Sequence, residues 1–172
     1  MMASDGSRTT AGVVTPTYFY TASVTSAESV VRIADNPHIR DVVALAATAD
    51  WVFFVGAADD AGGTSQRTVY RLSRTDLTAA PTAIAPADQL GFSASNGAME
   101  YDAGRDVLYF RATSPAGVYA IFDASTATPV YAGPVLVRGN SGDYAMALDP
   151  SVPALFVFET ETASTGTFLE VR

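Results

Sequence analysis

Short apolar runs, punctuated by Gly, Ser, Thr, Asp and Pro, recur along the whole chain. Four of them share one template: a small or hydroxyl residue, two apolar residues, a variable residue, then a β-branched residue or Leu. They are Ser29-Val30-Val31-Arg32-Ile33, Thr68-Val69-Tyr70-Arg71-Leu72, Gly117-Val118-Tyr119-Ala120-Ile121 and Thr167-Phe168-Leu169-Glu170-Val171. Each follows a more aromatic run: Tyr18-Phe19-Tyr20, Val52-Phe53-Phe54, Leu108-Tyr109-Phe110 and Leu155-Phe156-Val157. Runs of this composition bounded by turn residues read as strands joined in hairpins.

A third element precedes the last three aromatic runs: Asp41-Val42-Val43-Ala44-Leu45, Asn96-Gly97-Ala98-Met99-Glu100 and Asp143-Tyr144-Ala145-Met146-Ala147. Between it and the aromatic run lies a turn, such as Asp102-Ala103-Gly104-Arg105-Asp106 or Asp149-Pro150-Ser151-Val152-Pro153. Thr82-Ala83-Ile84 and Val130-Tyr131-Ala132 supply short fourth strands. The third strands are spaced by 39, 49 and 50 residues, the size of a four-stranded propeller blade, about 40–50 residues. The fold class expected is therefore all-β and β-propeller-like, with about four units of three to four antiparallel strands. The units cover residues 13–36, 37–86, 87–134 and 135–172, after a polar, flexible start at 1–12. Ala44, Ala46, Ala98, Ala145 and Ala147 suit a first strand near an axis where blades converge.

Two segments compete with this scheme. Thr25-Ser26-Ala27-Glu28 fits a helix capping box, but Val30, Val31 and Ile33 favour strand there. The stretch 78–95 carries Pro81, Pro86 and Gly91 and reads as a long connection.

Composition narrows the function. Of 172 residues, 48% are hydrophobic and 16% charged, which excludes intrinsic disorder. The ten basic residues are all Arg against 18 acidic ones, a net charge of −8. Such a surface is poor for nucleic acid, which is held by many Lys and Arg contacts. No cysteine is present, so there is no thiolate nucleophile and no Cys-held zinc. Residues 1–12 lack a secretory-signal pattern, and no apolar stretch approaches the roughly 20 residues of a membrane span. A soluble chain in an undetermined compartment is expected.

The phrases Asn96-Gly97-Ala98-Met99-Glu100-Tyr101-Asp102-Ala103-Gly104-Arg105-Asp106-Val107-Leu108-Tyr109-Phe110 and Asp143-Tyr144-Ala145-Met146-Ala147-Leu148-Asp149-Pro150 resemble blades of the NHL, YWTD and SMP-30 (gluconolactonase-like) propellers. The resemblance spans about 80 residues well and 37–76 more loosely, and it speaks to blade architecture more than to activity. Four units leave three arrangements open: a closed small ring, half of a larger ring completed by a second copy, or an excerpt of a longer protein.

The gluconolactonase-like resemblance implies a divalent metal held at the channel mouth by Asn and Asp at the start of the first strand, and here those are Asp41, Asn96 and Asp143. Oxygen ligands of this kind suit Ca²⁺, Mg²⁺ or Mn²⁺. The competing reading has them capping strands and closing turns. Asp102 and Asp149 begin turns, and Asp59, Asp60, Gly62 and Gly63 form a loop tip without EF-hand spacing. His38 is the single histidine and sits in a turn beside Pro37; no Gly-x-Ser-x-Gly elbow exists. Trp51, Tyr70 and Tyr119 are candidates for a sugar-binding face, though their strand spacing favours packing. A non-catalytic binding scaffold for a protein or small-molecule ligand, needing no cofactor, ranks first. A metal-dependent hydrolase or lactonase-like enzyme is the alternative.

Overall fold

The computed structural model describes residues 2–4, 17–22, 30–59, 65–86, 90–92, 98–137, 143–149, 151, 154–160 and 168–171. These form fourteen strands and no helix, and the pairings are antiparallel throughout. The chain divides into two compact units, Met1–Ala87 and Asp88–Arg172.

In the first unit, β1 (Met2–Ser4), β2 (Thr17–Ala22) and β3 (Val30–Asn36) make a three-stranded sheet. A four-stranded meander follows: β4 (Ile39–Ala47), β5 (Trp51–Asp59), β6 (Ser65–Ser73) and β7 (Thr82–Ala83). The second unit has a four-stranded meander of β8 (Met99–Asp102), β9 (Val107–Thr113), β10 (Ala116–Phe122) and β11 (Val130–Val137). A three-stranded one of β12 (Asp143–Asp149), β13 (Ala154–Thr160) and β14 (Phe168–Val171) completes it.

The repeat read from composition is thus a repeat of sheets. Its aromatic runs lie in β2, β5, β9 and β13, and its third strands are β3, β6, β10 and β14. Val30, Val31 and Ile33 are strand, as their β-branched character requires; residues 25–28 lie outside the described set. Two boundaries differ. Met2–Ser4, expected to be part of a flexible start, pairs with β2 through Met2 opposite Tyr20, which covers a strand edge that would otherwise leave backbone groups unpaired. Residues 9–14, which a closed ring of four units would use as the missing first strand, are outside the described set. In the other, β11 runs to Val137, so the third sheet extends past residue 134.

Register shows the repeat at the level of single side chains. Val52 faces Leu72 and Phe54 faces Tyr70; Leu108 faces Ile121 and Phe110 faces Tyr119; Leu155 faces Val171 and Val157 faces Leu169. These residues define one face, here called the front. Because successive side chains alternate, the intervening residues lie on the back: Phe53 with Arg71, Tyr109 with Ala120, and Phe156 of β13.

Within each unit, the first sheet packs on the front face of the second. Phe19 and Ala34 join Val52, Phe54, Tyr70 and Leu72. Ala98, Tyr109 and Val118, from the back of β8–β11, join Met146, Leu155 and Val157. Each fully buried side chain of this size contributes about 1.5–3 kcal/mol. No helix among the described residues is long and apolar enough to cross a membrane.

Candidate functional site

Asp41 lies within a bulge of β4. The register there jumps from Arg40 opposite Ala57 to Ala44 opposite Val55, so Asp41, Val42 and Val43 together face Gly56. Asp41 takes a left-handed φ of 52°, uncommon for a residue other than Gly. Gly56 makes room for the bulge: a Cβ at that position would meet the Arg40 carbonyl oxygen at 3.2 Å and Val42 Cα at 3.3 Å. The Asp41 carboxylate pairs with the Arg67 guanidinium of β6 at 3.3 Å.

Asp143 opens β12 opposite Thr160. Counted from the shared register, its place is held in β4 by Arg40, which faces Ala57, rather than by Asp41. Arg40 is buried and bonds Asp59 at 3.0 Å. Asn96 lies outside the described residues. Of the three proposed ligands, then, Asp41 is committed to an arginine and Asp143 opens a strand in the other unit. Among the described residues no group of three His, Cys, Asp or Glu side chains is arranged to hold a metal ion.

A denser polar constellation surrounds Asp106, also in the left-handed region with φ of 55°. Its carboxylate accepts from Tyr101 Oη at 2.8 Å, Ser125 N at 2.9 Å and Ser125 Oγ at 2.8 Å. Its carbonyl accepts from Ala124 N at 3.2 Å. Burial alone raises the Asp106 pKa, but hydrogen bonds from Ser125 and Tyr101 outweigh it and hold the carboxyl below its ordinary range. Desolvation and the neighbouring Asp106 carboxylate push the Tyr101 phenol up. Beside it, Asp102 accepts from Gly104 N at 2.9 Å and Arg105 N at 3.2 Å, and pairs with Arg105 Nη1 at 3.0 Å. The cluster ties the β8–β9 turn to the segment after β10. The Asp50 carbonyl makes the matching tie in the first unit, accepting from Arg74 N at 2.8 Å.

The back face of β8–β11 carries the other unusual group. Glu100 stands opposite Tyr109 on the neighbouring strand, half-buried, and desolvation raises its pKa. Two residues along β9, Arg111 is only 2% exposed. Its register equivalent in β5 is Val55, 1% exposed, so a guanidinium fills a place where the sister sheet has an isopropyl group. The back face of β4–β7 buries its own arginine differently: Arg71 lies over the Trp51 ring, 4.6 Å from its centroid, and burial lowers its pKa. Neither arginine stood out by residue type. The signal for Arg111 was alignment of Phe53-Phe54-Val55-Gly56 with Tyr109-Phe110-Arg111-Ala112.

The remaining candidates serve the fold. Asn36, fully buried, donates through Nδ2 to the Leu77 and Ala79 carbonyls, both at 2.8 Å, and its Oδ1 accepts from His38 N at 2.9 Å. His38 is thereby fixed in its turn. Tyr70 and Tyr119 are buried, which removes them from a sugar-binding surface. Asp149 closes a turn by accepting from Ser151 N at 2.8 Å.

Chemically, these contacts neutralise arginines, close turns and cross-tie neighbouring segments. Comparison with family models, with curated proteins and with solved structures gives no match.

Proposed function

We propose that the four sheets are blades of a β-propeller-like scaffold whose role is binding rather than catalysis. The observation that carries the reading is continuous burial along the middle strands. Val52 through Gly56 and Gly117 through Ile121 are buried at every position. A strand in a two-layer sandwich buries alternate residues, whereas sheets stacked around an axis are covered on both faces. Alanines on the first strands and the turn phrases shared with NHL-, YWTD- and gluconolactonase-like blades support the same arrangement. A binding role is supported by the engagement of Asp41, Asp59, Asp102, Asp106 and Asp149 in structural contacts.

The test joins shape to metal dependence. At concentrations where light scattering gives a single chain, small-angle X-ray scattering should return a radius of gyration of about 16 Å, that of one compact domain of this length. A markedly larger value, from two units tumbling apart, removes the propeller. EDTA should leave the melting temperature unchanged. Stoichiometric divalent metal, lost to EDTA together with stability, replaces the scaffold with a metal-dependent hydrolase.

A further inference from the structure

Sheet β12–β14 leaves open the face that its sister sheets bury. Its front, through Met146, Leu155 and Val157, packs against the back of β8–β11. On its own back face Ala145, Ala147 and Phe156 are exposed, Phe156 by 37%. Phe156 faces Glu170 in the register where Phe53 faces Arg71, yet Phe53 is 0% exposed. Val55, Val69 and Arg71, which share the back of β4–β7 with Phe53, are buried too. At the third occurrence, Tyr109 lies in the cluster that receives Met146 and Val157. The last sheet is thus the exception to a packing rule its own chain obeys.

We infer that this back face docks the first sheet of a second copy of the chain. The inference rests on the propeller reading above. The argument for this occupant is continuity: the contact between β8–β11 and β12–β14 is already a back-to-front contact of the same repeat, and a second copy extends it by one step. Ala145 and Ala147 on the first strand admit close approach, and Phe156 supplies the aromatic anchor that buried equivalents provide elsewhere. Such a contact is heterologous, and made twice between two copies it closes a ring. With four sheets in each chain the ring has about eight blades, the upper end of the usual range. Two chains of net charge −8 repel, and Glu170 stands opposite Phe156 in the register, so the apolar contact of Ala145, Ala147 and Phe156 has to outweigh that repulsion. Added salt screens that repulsion and strengthens association.

Light scattering of the full chain over a wide concentration range should give twice the 17.9 kDa chain mass, with tighter association at higher salt. Phe156→Glu should weaken association by about tenfold or more, with an unchanged circular dichroism spectrum. Ala147→Glu, at a smaller exposed side chain, should do the same if Phe156→Glu misfolds. A single-chain mass at every concentration overturns the inference. So does a dimer that both variants leave intact and that Val130→Glu, at the 52%-exposed residue of β11, dissociates. Amide exchange on the monomeric form separates the causes. Protected β5 and β10 in a chain that stays single leave the propeller standing and remove only the docking; unprotected β5 and β10 remove both.

Discussion

Phe54 on β5 lies against Tyr70 on β6 with ring centres 5.4 Å apart and planes 20° from parallel. Phe110 and Tyr119 repeat the pair in the second unit at 5.7 Å and the same 20°. In each case the rings come from directly opposed residues of the second and third strands. The second pair is longer: Phe92 extends it on one side at 6.1 Å and Tyr131 on the other at 6.3 Å.

A double-mutant cycle should therefore find coupling of about 0.5–1.5 kcal/mol between Phe54 and Tyr70 beyond their burial. Phe54→Ala alone should cost about 3–5 kcal/mol in urea unfolding. For Tyr119, whose hydroxyl donates to the Pro115 carbonyl at 2.9 Å, replacement by Phe should cost about 1 kcal/mol. Coupling indistinguishable from zero in both sheets would show that the stacks are incidental.

Asn36→Ala removes donors from two carbonyls and an acceptor from the His38 amide, and should cost about 2–4 kcal/mol. Asn36→Asp should be worse at neutral pH, because a carboxylate then faces the Leu77 and Ala79 carbonyl oxygens. That carboxyl's folded pKa is raised, so the variant should regain stability as pH falls through it. An Asp variant no less stable than the Ala variant at neutral pH contradicts the hydrogen-bond geometry.

Gly91 meets Ser114 closely, its amide donating to the Ser114 carbonyl at 2.6 Å while its own carbonyl accepts from Thr113 N at 2.7 Å. A Cβ on residue 91 would sit 2.8 Å from Ser114 Cβ. Gly91→Ala should cost about 1–3 kcal/mol by overpacking, and Ser114→Gly in the same chain should restore part of it. Equal melting temperatures for wild type and Gly91→Ala refute the close approach.

Two carboxyls should give opposite pH signatures. The Asp106 pKa is lowered on folding, so its contribution is complete above the ordinary carboxylate range and disappears as pH falls through its folded value. Asp106→Asn should lower stability at neutral pH and much less in acid. Burial raises the Glu100 pKa, which penalises folding at neutral pH and relaxes as pH falls. Glu100→Gln should raise the neutral melting temperature and leave the acid one nearly unchanged. Denaturation curves at both pH values decide it; equal shifts in the same direction would exclude this linkage.

The legible features were those carried by short-range pattern. Tyr70 and Tyr119 fall at the same place in Thr-Val-Tyr and Gly-Val-Tyr, and strand propensity with turn residues is enough to align them. Asp102 and Asp149 were likewise readable as turn formers, because an Asx turn is closed by residues two or three positions away. Asn36 was not, since its partners at Leu77 and Ala79 are 41 and 43 residues distant. Arg111 and Val55 share a position in the aligned repeat, but that both are buried there depends on the sheets packed against them.

By itself, then, the amino-acid order determined an all-β chain, the number of its repeats and the residues of nearly every strand, because alternation and turn chemistry are local. Tertiary structure alone decided that Asp41 swings out of register to pair with Arg67, since a bulge depends on what the opposite strand offers, here Gly56. It also decided that Phe156 is exposed where Phe53 is buried. Identical patterns specify identical faces, and only the neighbouring sheet determines whether a face meets protein or water.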